Sequence, residues 1–294
     1  MSDQLIRATA SEGGIRAVGV ITTQLTEEAR QRHQLSYVST AALGRAMASG
    51  LLLASSMKKV QARVNLRIKG NGPLKGLCAD AGRDGTVRGY VECPEIELPP
   101  REDGKLNVGG AIGRDGYIQV LRDIGYGNPH ASTVELVSGE IGDDVVHYLM
   151  TSEQIPSALI VGVFVGADGV SAAGGLLVQI MPKATQNEAL IATLESRITK
   201  LSGFTPLLRQ GMKLPQIFQQ LLGDLGLVIF PEVQPVFFDC RCSFERVLGA
   251  LTLFGKAELE DMLHKDGGAE ATCQFCNEVY QADPEHLRHL IEKL

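Results

Sequence analysis

Short blocks of alternating apolar and polar residues dominate the first 180 positions. Arg63–Ile68 shows the pattern most cleanly, with Val64, Leu66 and Ile68 facing one way and Arg63, Asn65 and Arg67 the other. A period of two predicts a half-buried antiparallel strand. Ile15–Ile21, rich in β-branched residues, reads as another strand. So do Gly76–Asp80, Thr86–Val91, Tyr117–Leu121, Thr133–Val137, Leu159–Val165 and Gly175–Ile180. The helical period appears over Ser39–Lys58, where Leu43, Met47, Leu51 and Ala54 share a stripe behind Ser39 or Thr40 as N-cap. It appears again over Ile141–Ser152. Many short strands joined by Gly- and Asp-rich turns predict an α+β core domain over residues 1–183, an antiparallel sheet with helices packed on it.

The pattern changes after Met181-Pro182-Lys183. Thr185-Gln186-Asn187-Glu188 has capping-box form and opens a helix with Leu190, Ile191, Leu194, Ile198 and Leu201 on one face. Thr205-Pro206 looks like a second start, and Lys213–Leu222 is a third short helix around Ile217, Phe218, Leu221 and Leu222. Residues 184–231 thus read as a linker of short amphipathic helices with no strand partners. Helices this short are marginal alone and need a surface to rest on. Residues 232–294 read as a small terminal module. Ser243 caps one helix in it, Lys256–His264 forms another, and Pro284–Leu294 the last.

Composition adds two constraints. The chain has 294 residues, 44% hydrophobic, with a net charge of −6. All of that charge lies beyond residue 231, where 12 acidic side chains face 6 basic ones. An acidic module is a poor partner for phosphate backbones, which argues against nucleic acid. The first residues lack a basic segment followed by an apolar core. The longest apolar stretch, near Ala46–Ser55, is too short to span a bilayer. A reducing cytoplasmic setting and no membrane partner are therefore expected.

Cysteine placement carries the chemistry. Four of six lie in the terminal module, as Cys240-Arg241-Cys242 and, further along, Cys273-Gln274-Phe275-Cys276. Residues two apart on an extended segment point to the same side, so Cys240 and Cys242 can reach one ion. A CxxC turn presents Cys273 and Cys276 likewise. Four sulfurs suit one closed zinc site with no place for a substrate water. An iron–sulfur site and a free dithiol pair remain the alternatives. A zinc here can be purely structural, or a switch, because oxidants attack thiolates and remove the ligands.

Weaker signals point elsewhere. Gly70-x-Gly72-x-x-x-Gly76 has the wrong spacing for a nucleotide loop, and no GxxxxGK[ST] occurs. Cys78 and Cys93 read as small buried side chains. His286 and His289 share a helix face, but four sulfurs already complete a zinc site. His147 with Ser152-Glu153 lacks a nucleophile elbow.

Phe238-x-Cys240-x-Cys242-Ser243-x-x-Arg246, Glu258-Leu259 and Cys273-x-Phe275-Cys276-x-x-x-Tyr280 closely resemble the redox-regulated heat-shock holdase chaperones of the heat-shock protein 33 family. Arg32-His33, Leu43-Gly44-Arg45, Leu52-Leu53, Gly70-Asn71-Gly72-Pro73, Gly89-Tyr90 and Tyr148-x-x-x-Ser152-Glu153-Gln154 extend the resemblance over nearly the whole chain. It implies a non-enzymatic, ATP-independent holdase. In the reduced form one zinc sits on Cys240, Cys242, Cys273 and Cys276. In the oxidised form the implied disulfides are Cys240–Cys242 and Cys273–Cys276, and the chain exposes apolar surface, forms a homodimer and holds unfolding client proteins. A dithiol oxidoreductase and a structural zinc-ribbon module are the competing functions.

Overall fold

The computed structural model describes residues 2–201 and 203–294, which form two compact units, Met1–Asp239 and Cys240–Leu294. The first runs β1 (Gln4–Ala10), β2 (Ile15–Ile21), α1 (Thr23–His33), α2 (Tyr37–Ala54), β3 (Arg63–Gly70), β4 (Gly76–Gly82), β5 (Thr86–Val91), α3 (Val108–Ile112) and β6 (Gly116–Asp123). It continues through β7 (His130–Glu135), α4 (Gly142–Thr151), β8 (Ser157–Gly166), β9 (Gly169–Ile180), α5 (Glu188–Lys200), α6 (Phe204–Arg209), α7 (Leu214–Leu222), β10 (Val228–Pro235) and β11 (Phe237–Phe238). Among the described residues these strands make two sheets. One has the order β10-β1-β2-β9-β8, and the other β11-β5-β4-β3-β6-β7. Every pairing is antiparallel except β11 with β5. The fold is α+β, as the alternating pattern predicts.

Helix α2 is the centre of this unit. It packs on β2, β8 and β9 of one sheet and on β3, β4 and β5 of the other. A helix flanked on two sides cannot keep a polar face, and from Val38 to Ala54 only Arg45 escapes burial. Small residues let the layers approach: a Cβ at Gly44 would sit 2.6 Å from both Thr26 and Val163 side chains. Two expectations change here. The N-cap is Ser36, whose Oγ accepts from the Ser39 backbone N–H, rather than Ser39 or Thr40. The Leu43–Ala54 stripe is part of an all-round apolar surface, because the second sheet covers the face that periodicity left to solvent.

The helices of the 184–231 segment rest on the outer face of the first sheet. Leu190 and Leu194 of α5, Phe204, Leu207 and Leu208 of α6, and Leu214, Ile217, Phe218, Leu221 and Leu222 of α7 share one buried cluster with Ile6, Ala8, Ile15, Ala17, Ile21, Leu176 and Val178. Gly19 makes room for α7, since a Cβ there would meet Leu214 Cδ2 at 2.8 Å. The cap of α5 is Asn187, which accepts from Leu190 N–H at 3.1 Å, while Thr185 turns back to Pro182 O. The expectation that this segment has no strand partners does not hold. Strand β10 begins at Val228 and pairs with β1 from Thr9↔Val228 to Gln4↔Pro235. Pro231 and Pro235 hid it, and both are tolerated because β10 is an edge strand.

The second unit holds α8 (Phe244–Leu251), α9 (Lys256–Lys265), the hairpin β12 (Ala269–Thr272) and β13 (Val279–Ala282), and α10 (Pro284–Lys293). Ser243 caps α8 as expected, accepting from Arg246 N–H. Its buried core is Leu251, Leu259, Ala282, Leu287 and Leu290. So small a core is marginal without a staple.

Candidate metal centre

All four predicted sulfurs converge. The Sγ atoms of Cys240, Cys242, Cys273 and Cys276 lie within 4.8 Å of one another. Cys240 and Cys273 are 3.7 Å apart, and Cys242 and Cys276 are 3.3 Å apart. Local backbone chemistry explains how the hairpin presents its two sulfurs. The β12–β13 hairpin closes through Cys273 N–H to Glu278 O at 2.8 Å, and Asn277 N–H reaches Cys273 O at 2.7 Å. Asn277 takes φ +61°, a left-handed turn that asparagine tolerates and that swings the chain back after Cys276. Cys240 and Cys242 precede the Ser243 cap, where the chain is extended (φ −154°, ψ 158°).

A ring of side chains supports the cluster. Tyr280 on β13 donates its hydroxyl to Cys242 Sγ at 3.1 Å, linking the hairpin to the other cysteine motif. Phe244 stacks on Tyr280 and meets His286 edge-on at 4.9 Å between ring centres. His286 hydrogen-bonds Asp283 at 2.7 Å and stays outside the four-sulfur group. In the sequence Tyr280 is only one position of a motif. Nothing local shows that its hydroxyl reaches a cysteine on a distant segment.

Burial pushes the Cys273 and Cys276 thiols up, and the neighbouring sulfurs push Cys276 further. Cys276 is the most enclosed of the four, at 4% exposure. Without a metal these two sulfurs therefore carry protons at neutral pH, and a bound cation must displace them. The arrangement can hold one metal ion through four soft sulfur ligands.

The remaining candidates have other duties. Cys78 is buried beside the Asn65 amide at 3.3 Å, and Cys93 is half-buried. Glu153 binds Arg122 at 2.8 Å and accepts from Tyr148 at 2.5 Å, so it serves a half-buried ion pair. Gly72 lies under α3, where a Cβ would strike Ala111 O at 2.3 Å. That close approach explains the glycine without a nucleotide.

The Hsp33 protein family model matches residues 3–283. The chain is 72% identical to the 33 kDa chaperonin of Rippkaea orientalis over all 294 residues, covering 98% of that relative. It is 70% identical to the 33 kDa chaperonin of Synechocystis sp., covering 100% of this chain and 97% of the relative. The crystal structure of the 33 kDa chaperonin (Hsp33 homolog) from Thermotoga maritima superposes with a TM-score of 0.93. It is 37% identical, with 100% of this chain and 99% of that one covered.

Proposed function

The chain belongs to the Hsp33 family, a family of redox-regulated chaperones, and on that premise we propose how its cysteines gate the activity. The carrying observation is the meeting of four sulfurs inside a unit with a very small core. Zinc–sulfur bonds of about 2.3 Å place tetrahedral ligands about 3.8 Å apart. Separations of 3.7 and 3.3 Å, with none beyond 4.8 Å, fit that size. Cys240, Cys242, Cys273 and Cys276 would thus hold one zinc. Bound there, the ion supplies on the order of 10–16 kcal/mol of apparent folding free energy, against a typical domain stability of about 5–15 kcal/mol.

Oxidation removes the ligands. Each pair of zinc-bound thiolates gives up two electrons as its S–S bond forms, one hydrogen peroxide takes them up with two protons from solvent to give two waters, and the zinc ion leaves as its ligands are consumed. The proposed pairs are Cys240–Cys242 and Cys273–Cys276. Once paired, the sulfurs no longer act as thiolates, and the second unit loses its staple. Its core side chains, Leu251, Leu259, Leu287 and Leu290, then become available to unfolding clients. The apolar faces of α5–α7, with the sheet surface beneath them, are the larger reserve. In this reading the chain works without ATP in a reducing cytoplasm and self-associates as a homodimer when oxidised.

The test follows zinc, thiols and activity on one sample before and after peroxide at elevated temperature. Loss of one zinc and four thiols should accompany suppressed light scattering from a heat-denatured client. Mass spectrometry should find the two proposed disulfides. Oxidised, zinc-free protein that leaves client aggregation unchanged would reduce the cluster to a structural metal site.

A further inference from the structure

Four arginines line up where the two sheets of the first unit end beside the C-terminus of α2. They are Arg7 on β1, Arg16 on β2, Arg83 in the β4–β5 turn and Arg122 on β6. Arg122 has a carboxylate, Glu153. Among the described residues, no carboxylate lies within ion-pair distance of Arg7, Arg16 or Arg83.

Neutral amides hold these three instead. Arg7 Nη2 donates to Gln234 Oε1 at 2.6 Å, and Arg83 Nη1 donates to the same oxygen at 3.0 Å. Sharing one acceptor atom brings the two guanidinium groups side by side. Arg16 donates to Gln179, which in turn donates to Ser157. Arg7 and Arg16 are diagonal neighbours on one face of the β1–β2 ladder, since Arg7 pairs with Val18 and Arg16 with Thr9. The Nε atoms of both are buried and have no partner.

The segment that follows α2 accounts for part of this cluster. Arg83 Nε reaches Met57 O at 3.0 Å, and Arg122 reaches Ser56 Oγ at 3.5 Å. Arg7 and Arg16 donate to side-chain amides instead. Glu232 and Glu153 act on them only through space, Glu153 is already engaged, and Asp84 is turned onto Thr86. Crowded cations with unused donors lack a counter-charge.

We propose that Arg7 and Arg83, with Arg16 beside them, form a binding site for a tetrahedral oxyanion of the phosphate class. Planar guanidinium forks arriving from a strand, its neighbour and a facing turn present several N–H groups, which match an anion with several oxygens. Burial, then the charge of Arg83, depress the Arg7 guanidinium, with Glu232 partly offsetting them from a distance and Arg16 adding to them. Gln234 is a residue of β10 and also donates to Arg83 O at 2.8 Å. A bound anion would therefore fasten edge strand β10 to both sheets.

The test uses reduced, metal-loaded full-length protein in a buffer free of phosphate. Inorganic phosphate is titrated against sodium chloride at constant ionic strength, following the melting temperature and the phosphorus-31 shift. A saturable rise in melting temperature with a matching shift is expected in the wild type. Arg7→Gln should weaken phosphate binding at least about tenfold, and Arg7→Lys should restore part of it. Arg7 is chosen because it donates to a side-chain amide, whereas Arg83 also holds the Met57 backbone carbonyl. Phosphate acting no differently from chloride, or equal titration of wild type and Arg7→Gln, overturns the site. No oxidant or client is present, so that failure leaves the redox reading untouched.

Discussion

Tyr280 and Cys242 come from separate segments of the second unit, and their O–H···S contact supports a proposed metal ligand from outside the four-sulfur group. Partners of this kind orient ligands and slow metal loss. Tyr280→Phe is expected to speed zinc transfer to a chelating dye by at least about tenfold, with the four thiols intact by titration. Glu27 is the residue whose titration is most informative in the first unit. Arg30 foremost, then the Val170 N–H and Gln31, hold its carboxyl down to about 2 from an ordinary 4.5. A lowered folded pKa stabilises above the unfolded value and is lost as pH falls through the folded one. The wild type should therefore lose this contribution between pH 4.5 and about 2. Thermal melts of wild type and Glu27→Gln should differ at pH 7 and converge near pH 2. A constant gap across that range would assign the difference to packing.

At the scale of elements, α7 depends on a side chain that is missing. Gly19 leaves space for Leu214 and Phe218, and Phe218 is fully buried against the sheet. Phe218→Ala should cost about 3–5 kcal/mol, read from urea unfolding of the reduced protein. The same variant should bind a hydrophobic dye before any oxidant is added. Dye binding equal to wild type despite the lost stability would show that α7 stays seated. The amphipathic spacing of α5 and α7 was legible because each helix carries its own period. Their resting surface was not, because it is assembled from β1 and β2 near the start of the chain and β9 far downstream. Strand β1 was illegible for a similar reason: it is held by pairing with β2 and β10 rather than by a distinctive local pattern.

At the scale of the whole molecule, the two units differ in what sustains them. The first buries a helix between two sheets, whereas the second has five buried core residues beside the four sulfurs. Chelation alone, under reducing conditions, should therefore open residues 240–294 to protease while the first unit remains resistant. Fragment masses from limited proteolysis before and after chelator will read this directly, and equal protection in both conditions would remove the metal from the stability argument. The chain by itself determined the two cysteine pairs that make the candidate metal site and many local elements, because thiol spacing and hydrophobic period are properties of neighbouring residues. Only tertiary structure decided that four sulfurs share one point, that α2 is covered on every side and that Arg7 and Arg83 meet on one oxygen of Gln234. Those facts depend on strands and turns distant in sequence coming together, and no local period encodes which surfaces will meet.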